Sequence, residues 1–275
     1  MKRIITCLAL TALMLTGCHK TKEFTTHTIS GEQCYLLTFD EEMGPWGTSI
    51  GLKNSLSVAW PDKGTISRDA ERELILRCFG DSTSANAHEA MQRWLASSLF
   101  FEEENPKVEP TDSLIVTSEF GYSYNDLDVT YTEDSALVTY IIKYESYFAG
   151  AAHGMYSFDN LTIDKATGNV IHLTDLVTDT NLLCEAVAHA IQDLEVNKDI
   201  RDCLFDEFID VERMPLPHNF TVDSAHNGII VYYGLYEIAS YACGIQEVVL
   251  PIFWLSKHVP LTPYAKELFG PGCSL

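Results

Sequence analysis

The sequence predicts an α+β fold with largely antiparallel sheets, helices packed on one face, and two small subdomains. Three observations lead there. Apolar and polar residues alternate in several separate stretches, which is the period of a half-buried strand. Three further stretches carry apolar residues at helical spacing, and these are grouped instead of following each strand in turn, so a parallel βαβ succession is not indicated. The chain has 275 residues and is 46% hydrophobic, enough for one large core or two small ones.

Taken in order, residues 34–39 form an apolar run that reads as an opening strand, and 43–64, rich in Gly, Pro and Trp, reads as loop with short extended pieces. Ser67 is placed to cap a first helix whose Leu74, Ile75, Cys78 and Phe79 share a face before Gly80 stops it. Ser84 or Asn86 would cap a second, with Ala87, Met91, Trp94 and Leu95 at helical spacing. The period then changes to two. Leu127, Val129 and Tyr131 alternate with polar residues, Glu133-Asp134-Ser135 turns the chain, and 137–147 returns as a long strand. Residues 157–164 and 169–173 predict another hairpin.

A third helix follows, with Thr180 as its expected cap and Leu183, Val187, Ala190, Ile191 and Leu194 on one stripe. Strands resume at 220–223 and 229–233 around His226-Asn227-Gly228, where Asn-Gly supplies the positive φ of a tight turn, and 248–253 closes the pattern.

The amino terminus carries a separate message. Lys2 and Arg3 precede an apolar run over 4–15, and Leu15-Thr16-Gly17-Cys18 has the form of a bacterial lipobox. A run of about a dozen residues falls short of the roughly 20 needed to span a bilayer. Cleavage before Cys18 and acylation of that cysteine are therefore expected, with acyl chains as the attachment to a membrane. The expected organisation is a leader over 1–17, a tether over 18–30, an amino-terminal subdomain over 31–145 and a carboxy-terminal one over 146–275. The protein would work in the cell envelope. His19-Lys20-Thr21-Lys22 lacks the acidic stretch that some lineages use for surface export, which favours the periplasmic face.

Charge narrows the partners. The chain has 18 basic and 39 acidic residues, a net charge of -21, and loss of Lys2 and Arg3 with the leader leaves 16 against 39, or -23. Nucleic acid and anionic headgroups would be repelled, whereas a cationic partner would be attracted. Of the eight cysteines, Cys7 leaves with the leader and Cys18 takes the lipid. Cys34, Cys78, Cys184, Cys203, Cys243 and Cys273 remain, with 15 pairings open to them in an oxidising compartment. The expectation is mostly buried thiols with one disulfide.

Catalytic signatures are sparse. Residues 37–45 include Thr38-Phe39-Asp40, like the opening of a polysaccharide-deacetylase motif, but Glu41-Glu42-Met43 interrupts it. No two histidines stand four apart to complete a metal site of that kind. A Cys-x-x-Cys pair, Walker loop and dinucleotide fingerprint are all missing, so no metal or cofactor is expected.

Two clusters stand out instead. Residues 147–154 read Tyr-Phe-Ala-Gly-Ala-Ala-His-Gly, where small residues interrupt a strand and predict a bend or bulge. Residues 236–244 read Tyr-Glu-Ile-Ala-Ser-Tyr-Ala-Cys-Gly. The candidate site comprises Tyr147, Gly150, His153, Gly154, Tyr236, Glu237 and Tyr241. If the clusters meet, His153 and Glu237 would form a charge-assisted pair serving recognition or proton handling. The plainer alternative is a polar network that holds two sheet segments in register.

The same clusters carry a family resemblance. Together with Asp164-x-x-Thr167-Gly168 and Leu173-x-Asp175-Leu176, they resemble the domain of unknown function in the extracytoplasmic half of RsiV-type anti-sigma factors. They are also similar to the non-catalytic amino-terminal region of PdaC-type peptidoglycan deacetylases, the likeness covering about 147–255. Ala151 and Ser240 stand where that pattern usually has Gly and Pro. The resemblance implies an envelope binding module for a lysozyme-like basic protein or a cell-wall glycan. A cell-wall-polymer enzyme using His153 and Glu237, and a structural lipoprotein without ligand, are its rivals.

Overall fold

The computed structural model describes residues 23–40, 49–97, 106–111, 121–209, 212–223 and 227–270. The expected leader, Cys18, His226, Cys273 and residues 41–45 of the Thr38-Phe39-Asp40 segment lie outside them. The chain is α+β, and its sheets are largely antiparallel.

The first sheet is built on a long hairpin. Strands β1 (Thr26–Thr38) and β2 (Ser49–Pro61) run antiparallel throughout, and β3 (Lys107–Thr111) lies at the outer edge of β1. On the other side β4 (Gly121–Glu133) pairs parallel with β2, followed by antiparallel β5 (Leu137–Tyr147) and β6 (Met155–Asp164). The order is β3-β1-β2-β4-β5-β6. Two sequence expectations are corrected here. The stretch expected to be loop is a 13-residue strand at the centre of the sheet, and the opening strand starts at Thr26, inside the expected tether.

Between β2 and β4 the chain makes α1 (Arg68–Phe79) and α2 (Ala87–Leu95). Ser67 Oγ accepts from the Ala70 amide at 3.2 Å, and Gly80 ends α1 at φ 65, donating its N–H to Leu76 at 2.8 Å. Asn86 caps α2 by accepting from the Glu89 amide at 3.0 Å. The apolar faces of both helices cover one side of the sheet, where Leu74, Phe79, Met91 and Trp94 join Val58, Leu127, Val129 and Tyr140 in one core.

The second body starts with α3 (Leu173–Leu176) and α4 (Thr180–Asp193), which is capped by Asp179, one residue before the expected Thr180. Short helices α5 (Lys198–Arg201) and α6 (Asp206–Ile209) lead to a three-stranded antiparallel sheet of β7 (Asn219–Asp223), β8 (Gly228–Tyr233) and β9 (Gln246–Pro251). Asn227 takes φ 45 at the β7–β8 turn, in the left-handed region expected there. Helices α7 (Ile252–His258) and α8 (Pro263–Phe269) follow β9. The expected hairpin at 169–173 is reduced to one bridge, Ile163 to Val170, and 252–253 are helix instead of strand. One stripe of α4 packs with Ile229, Val231, Tyr233 and Leu250 in a second core.

The expected boundary at residue 145 falls inside β5, and β6 stays with the first sheet. The two sheets meet where the Asn219 carboxamide pairs with the edge of β6. Its Oδ1 accepts from the Asn160 amide at 2.9 Å and its Nδ2 donates to the Phe158 carbonyl at 2.9 Å.

Candidate functional site

Where β5 ends at Tyr147, the chain turns sharply. The Ala151 amide donates to the Phe148 carbonyl at 3.0 Å, and Gly150 takes φ 93 at the third position, as a type II turn requires. The Ala149 amide is held by Ser123 Oγ at 3.0 Å. His153 and Gly154 then lead into β6. A Cβ on Gly154 would come 3.0 Å from the Ser146 carbonyl oxygen, so the close approach of backbone to β5 favours glycine here.

The second cluster leaves β8 by a turn of the same kind. The Glu237 amide donates to the Gly234 carbonyl at 3.2 Å, and the third position, Tyr236, takes φ 64. Glycine is the usual occupant there, because a Cβ costs on the order of 1–2 kcal/mol at such a φ. The ring so placed is 51% exposed. Ile238 and Ala239 are buried, and a 3₁₀ turn over Tyr241–Cys243 follows before Gly244.

The two clusters do meet, and Tyr241 is their centre. Its ring stacks on His153 with centroids 3.8 Å apart, and Tyr236 and Tyr156 lie at 5.9 and 6.1 Å. Tyr241 Oη donates to the Gly154 carbonyl at 2.9 Å. His153 Nδ1 lies 2.9 Å from the same oxygen, and since a carbonyl only accepts, the neutral ring carries its proton on Nδ1 and keeps Nε2 as acceptor. His153 and Glu237 form neither a hydrogen bond nor an ion pair. The carboxylate accepts instead from the Gly234 amide at 2.8 Å, closing its own turn. Local turn geometry thus claims the group that the sequence offered to the imidazole.

Tyr147 belongs to an adjoining row. It stacks on Tyr124 at 6.1 Å, which approaches Tyr122 at 6.0 Å. Beyond the cluster, Phe158 meets Tyr232 edge to face at 4.8 Å, carrying the aromatic surface onto the second sheet. Tyr156, Tyr124, Tyr122, Phe158 and Tyr232 were not singled out from sequence. Their signal was present as alternate strand positions, Tyr122 with Tyr124 and Tyr156 with Phe158, on the side of the sheet away from α1 and α2.

Acidic groups stand among these rings. The strand registers set Asp126, Glu145 and Tyr156 side by side, and Glu247 opposite Tyr232. Burial, reinforced by Glu247 and Asp223, pushes the Tyr232 phenol well above its ordinary range, so it stays protonated. Lys53 is paired with Glu32 at 2.7 Å, and that bond raises its pKa. A groove of about 1100 Å³ along α1, lined by Arg68, Arg72, Arg77 and His172 among others, contains none of the predicted site residues. Among the described residues no three His, Cys, Asp or Glu side chains are grouped to hold a metal, and no helix is long and apolar enough to cross a membrane.

Residues 174–252 match the family model DUF3298, a protein family of unknown function. The DUF3298 stretch carries Tyr236, Glu237 and Tyr241, whereas Tyr147, Gly150, His153 and Gly154 precede it, so the site joins residues from inside and outside that stretch. A crystal structure of a DUF3298 family member from Bacteroides fragilis NCTC 9343 is similar over 92% of this chain and 98% of its own, at 19% identity and TM-score 0.55. That likeness shows a shared fold. A DUF3298 family protein from Pseudomonas aeruginosa PAO1 aligns over 89% of this chain and 97% of its own, at 18% identity and TM-score 0.49. No curated protein matches the chain.

Proposed function

We propose that this chain is an envelope lipoprotein, acylated at Cys18 on the periplasmic side, that acts as a binding module for a basic protein of the lysozyme kind. The observation that carries the reading is Tyr236, an aromatic residue at φ 64 with half its surface in solvent. Backbone strain persists only where the surroundings hold it, and it clusters at sites of recognition. Here it presents a ring 5.9 Å from that of Tyr241, the residue on which His153 stacks.

Exposed tyrosines with carboxylates beside them suit lysine and arginine, which can lie over a ring face while pairing with an acid. Glu145 at Tyr156 supplies that combination, and the net charge, -23 once Lys2 and Arg3 leave with the leader, adds long-range attraction for a cation. The resemblance to RsiV-type domains points to the same partner class. The enzyme alternative needed His153 and Glu237 to act as a pair, and Glu237 is spent on Gly234.

Titration calorimetry of the full chain with lysozyme at low salt tests this. Binding that weakens as salt rises, and that is lost in Tyr236→Ala, is expected. Heat from cell-wall glycan fragments but not from lysozyme would replace the protein partner by a sugar, and heat from neither would remove the recognition reading.

A further inference from the structure

Two cysteines on different segments come together beside the aromatic cluster. Cys203 follows α5 and precedes Leu204, which forms a bridge with Ala239, and the Phe205 amide donates to the Ile238 carbonyl at 3.0 Å. These pairings dock the 203–205 strip against the segment that carries Tyr236 and Tyr241. Cys243 closes the 3₁₀ turn of that segment. As a result its Sγ lies 4.0 Å from the Cys203 carbonyl oxygen. Both residues are partly exposed. Cys34, Cys78 and Cys184 are buried, on β1, α1 and α4, and burial pushes the Cys78 and Cys184 thiols up.

We propose that Cys203 and Cys243 are joined by a disulfide in the exported protein, and that this bond clamps the Tyr236–Tyr241 segment to the second body. A sulfur–sulfur bond of about 2.05 Å requires the two side chains to turn towards each other from this backbone-to-thiol contact. The bond would enclose β7, β8 and the aromatic turn in one covalent loop, restricting the unfolded chain over that span.

The oxidant is a disulfide of the envelope, small-molecule or protein. The Cys243 thiolate attacks one sulfur of that disulfide, forming a mixed disulfide and expelling the other sulfur as a thiolate. Cys203 then attacks Cys243 Sγ, forming the Cys203–Cys243 bond and expelling the second sulfur. Two electrons and the two thiol protons pass to the oxidant, which ends as two thiols. The neighbouring Cys243 thiol, ahead of burial, pushes the Cys203 thiol up to about 11.

The test is peptide mapping of the full chain, exported behind its own leader, quenched in acid, and treated with a thiol-blocking reagent in denaturant. The expected product is a Cys203 peptide linked to a Cys243 peptide, lighter by two hydrogen atoms than their sum. A reductant should separate them and lower the melting temperature by roughly 5–15 °C. Recovery of Cys203 and Cys243 as blocked free thiols, or of Cys243 linked to Cys273, would overturn the proposal. So would a melting temperature that reductant lowers equally in the Cys203→Ser/Cys243→Ser double variant. If that variant does not fold, the mapping of the unaltered chain decides alone. No ligand enters this experiment, so its failure leaves the recognition reading standing, and the failure of lysozyme binding leaves the disulfide standing.

Discussion

The imidazole of His153 lies on the phenol of Tyr241 with centroids 3.8 Å apart and planes 23° from parallel, and one carbonyl, that of Gly154, serves both residues. Stack and hydrogen bond can be separated by substitution. Tyr241→Phe keeps the ring and leaves the oxygen without its phenol donor, which should cost about 0.5–1.5 kcal/mol. His153 is exposed, so His153→Ala should cost no more than about 1 kcal/mol. Under the recognition reading the same change weakens partner binding at least tenfold. Urea denaturation and calorimetry on the two variants check this. A His153→Ala protein that loses well over 2 kcal/mol of stability yet binds as before would make the stack a structural clamp.

Tyr236 offers a test in which stability and binding move in opposite directions. Glycine at φ 64 relieves a strain on the order of 1–2 kcal/mol and returns about 0.5–1 kcal/mol through the greater freedom of the unfolded chain. Tyr236→Gly should therefore be as stable as the parent or slightly more so, while losing affinity for the partner. Denaturant midpoints and a binding isotherm read both. Clear destabilisation would show that the ring contributes to packing and is not simply displayed.

Much of the fold was legible wherever one physical period dominated. Ser67 to Gly80 and Asn227-Gly228 fell where capping and turn chemistry required. The central strand β2 was hidden because its stretch is rich in Gly, Pro and Trp, and its core face is interrupted by the buried amide of Asn54. In the structure its Nδ2 donates to the Leu95 and Ser97 carbonyls and its Oδ1 accepts from Asn125. Those partners come from residues 41 to 71 positions away, which no local pattern reports. The site shows the same division. The bend at Gly150 was legible from small residues in a strand, but that Tyr241 and not Glu237 receives His153 depends on a turn closed by the Gly234 amide. Strand alternation also marked Tyr124 and Tyr156 without saying which side of the sheet α1 and α2 would cover.

One side chain bridges the backbones of the two sheets. Asn219 copies a peptide group, accepting from the Asn160 amide and donating to the Phe158 carbonyl, both at 2.9 Å. Asn219→Ala would leave both backbone groups without these partners and should cost about 2–3 kcal/mol. Asn219→Asp retains the acceptor but sets a carboxylate against the Phe158 oxygen, so it should not rescue. Equilibrium unfolding ranks the variants, and hydrogen exchange should show faster opening along β6 and β7 than in the core of α4. Parent-like stability in Asn219→Ala would mean that the sheets are held together by apolar contact alone.

Acid should loosen the connection between α1 and α2 through Asp81. Its carboxylate accepts from the hydroxyl of Ser84, from the amides of Thr83 and Ser84 at 2.7 and 2.9 Å, and from the Thr83 hydroxyl at 2.9 Å. The Ser84 hydroxyl bond, followed by the Thr83 amide, holds its pKa well below the usual carboxylate range. A carboxyl whose pKa is depressed by folding lends stability that is complete above its unfolded value, near 4, and that is lost as pH falls towards the folded value. The difference in denaturant midpoint between the parent and Asp81→Asn should therefore be constant from about pH 7 to 5 and shrink below about pH 4. Other carboxylates titrate in both proteins and cancel in that comparison. A difference that stays level down to about pH 3 would mean that the charged acceptor adds nothing that a neutral amide cannot supply at this turn.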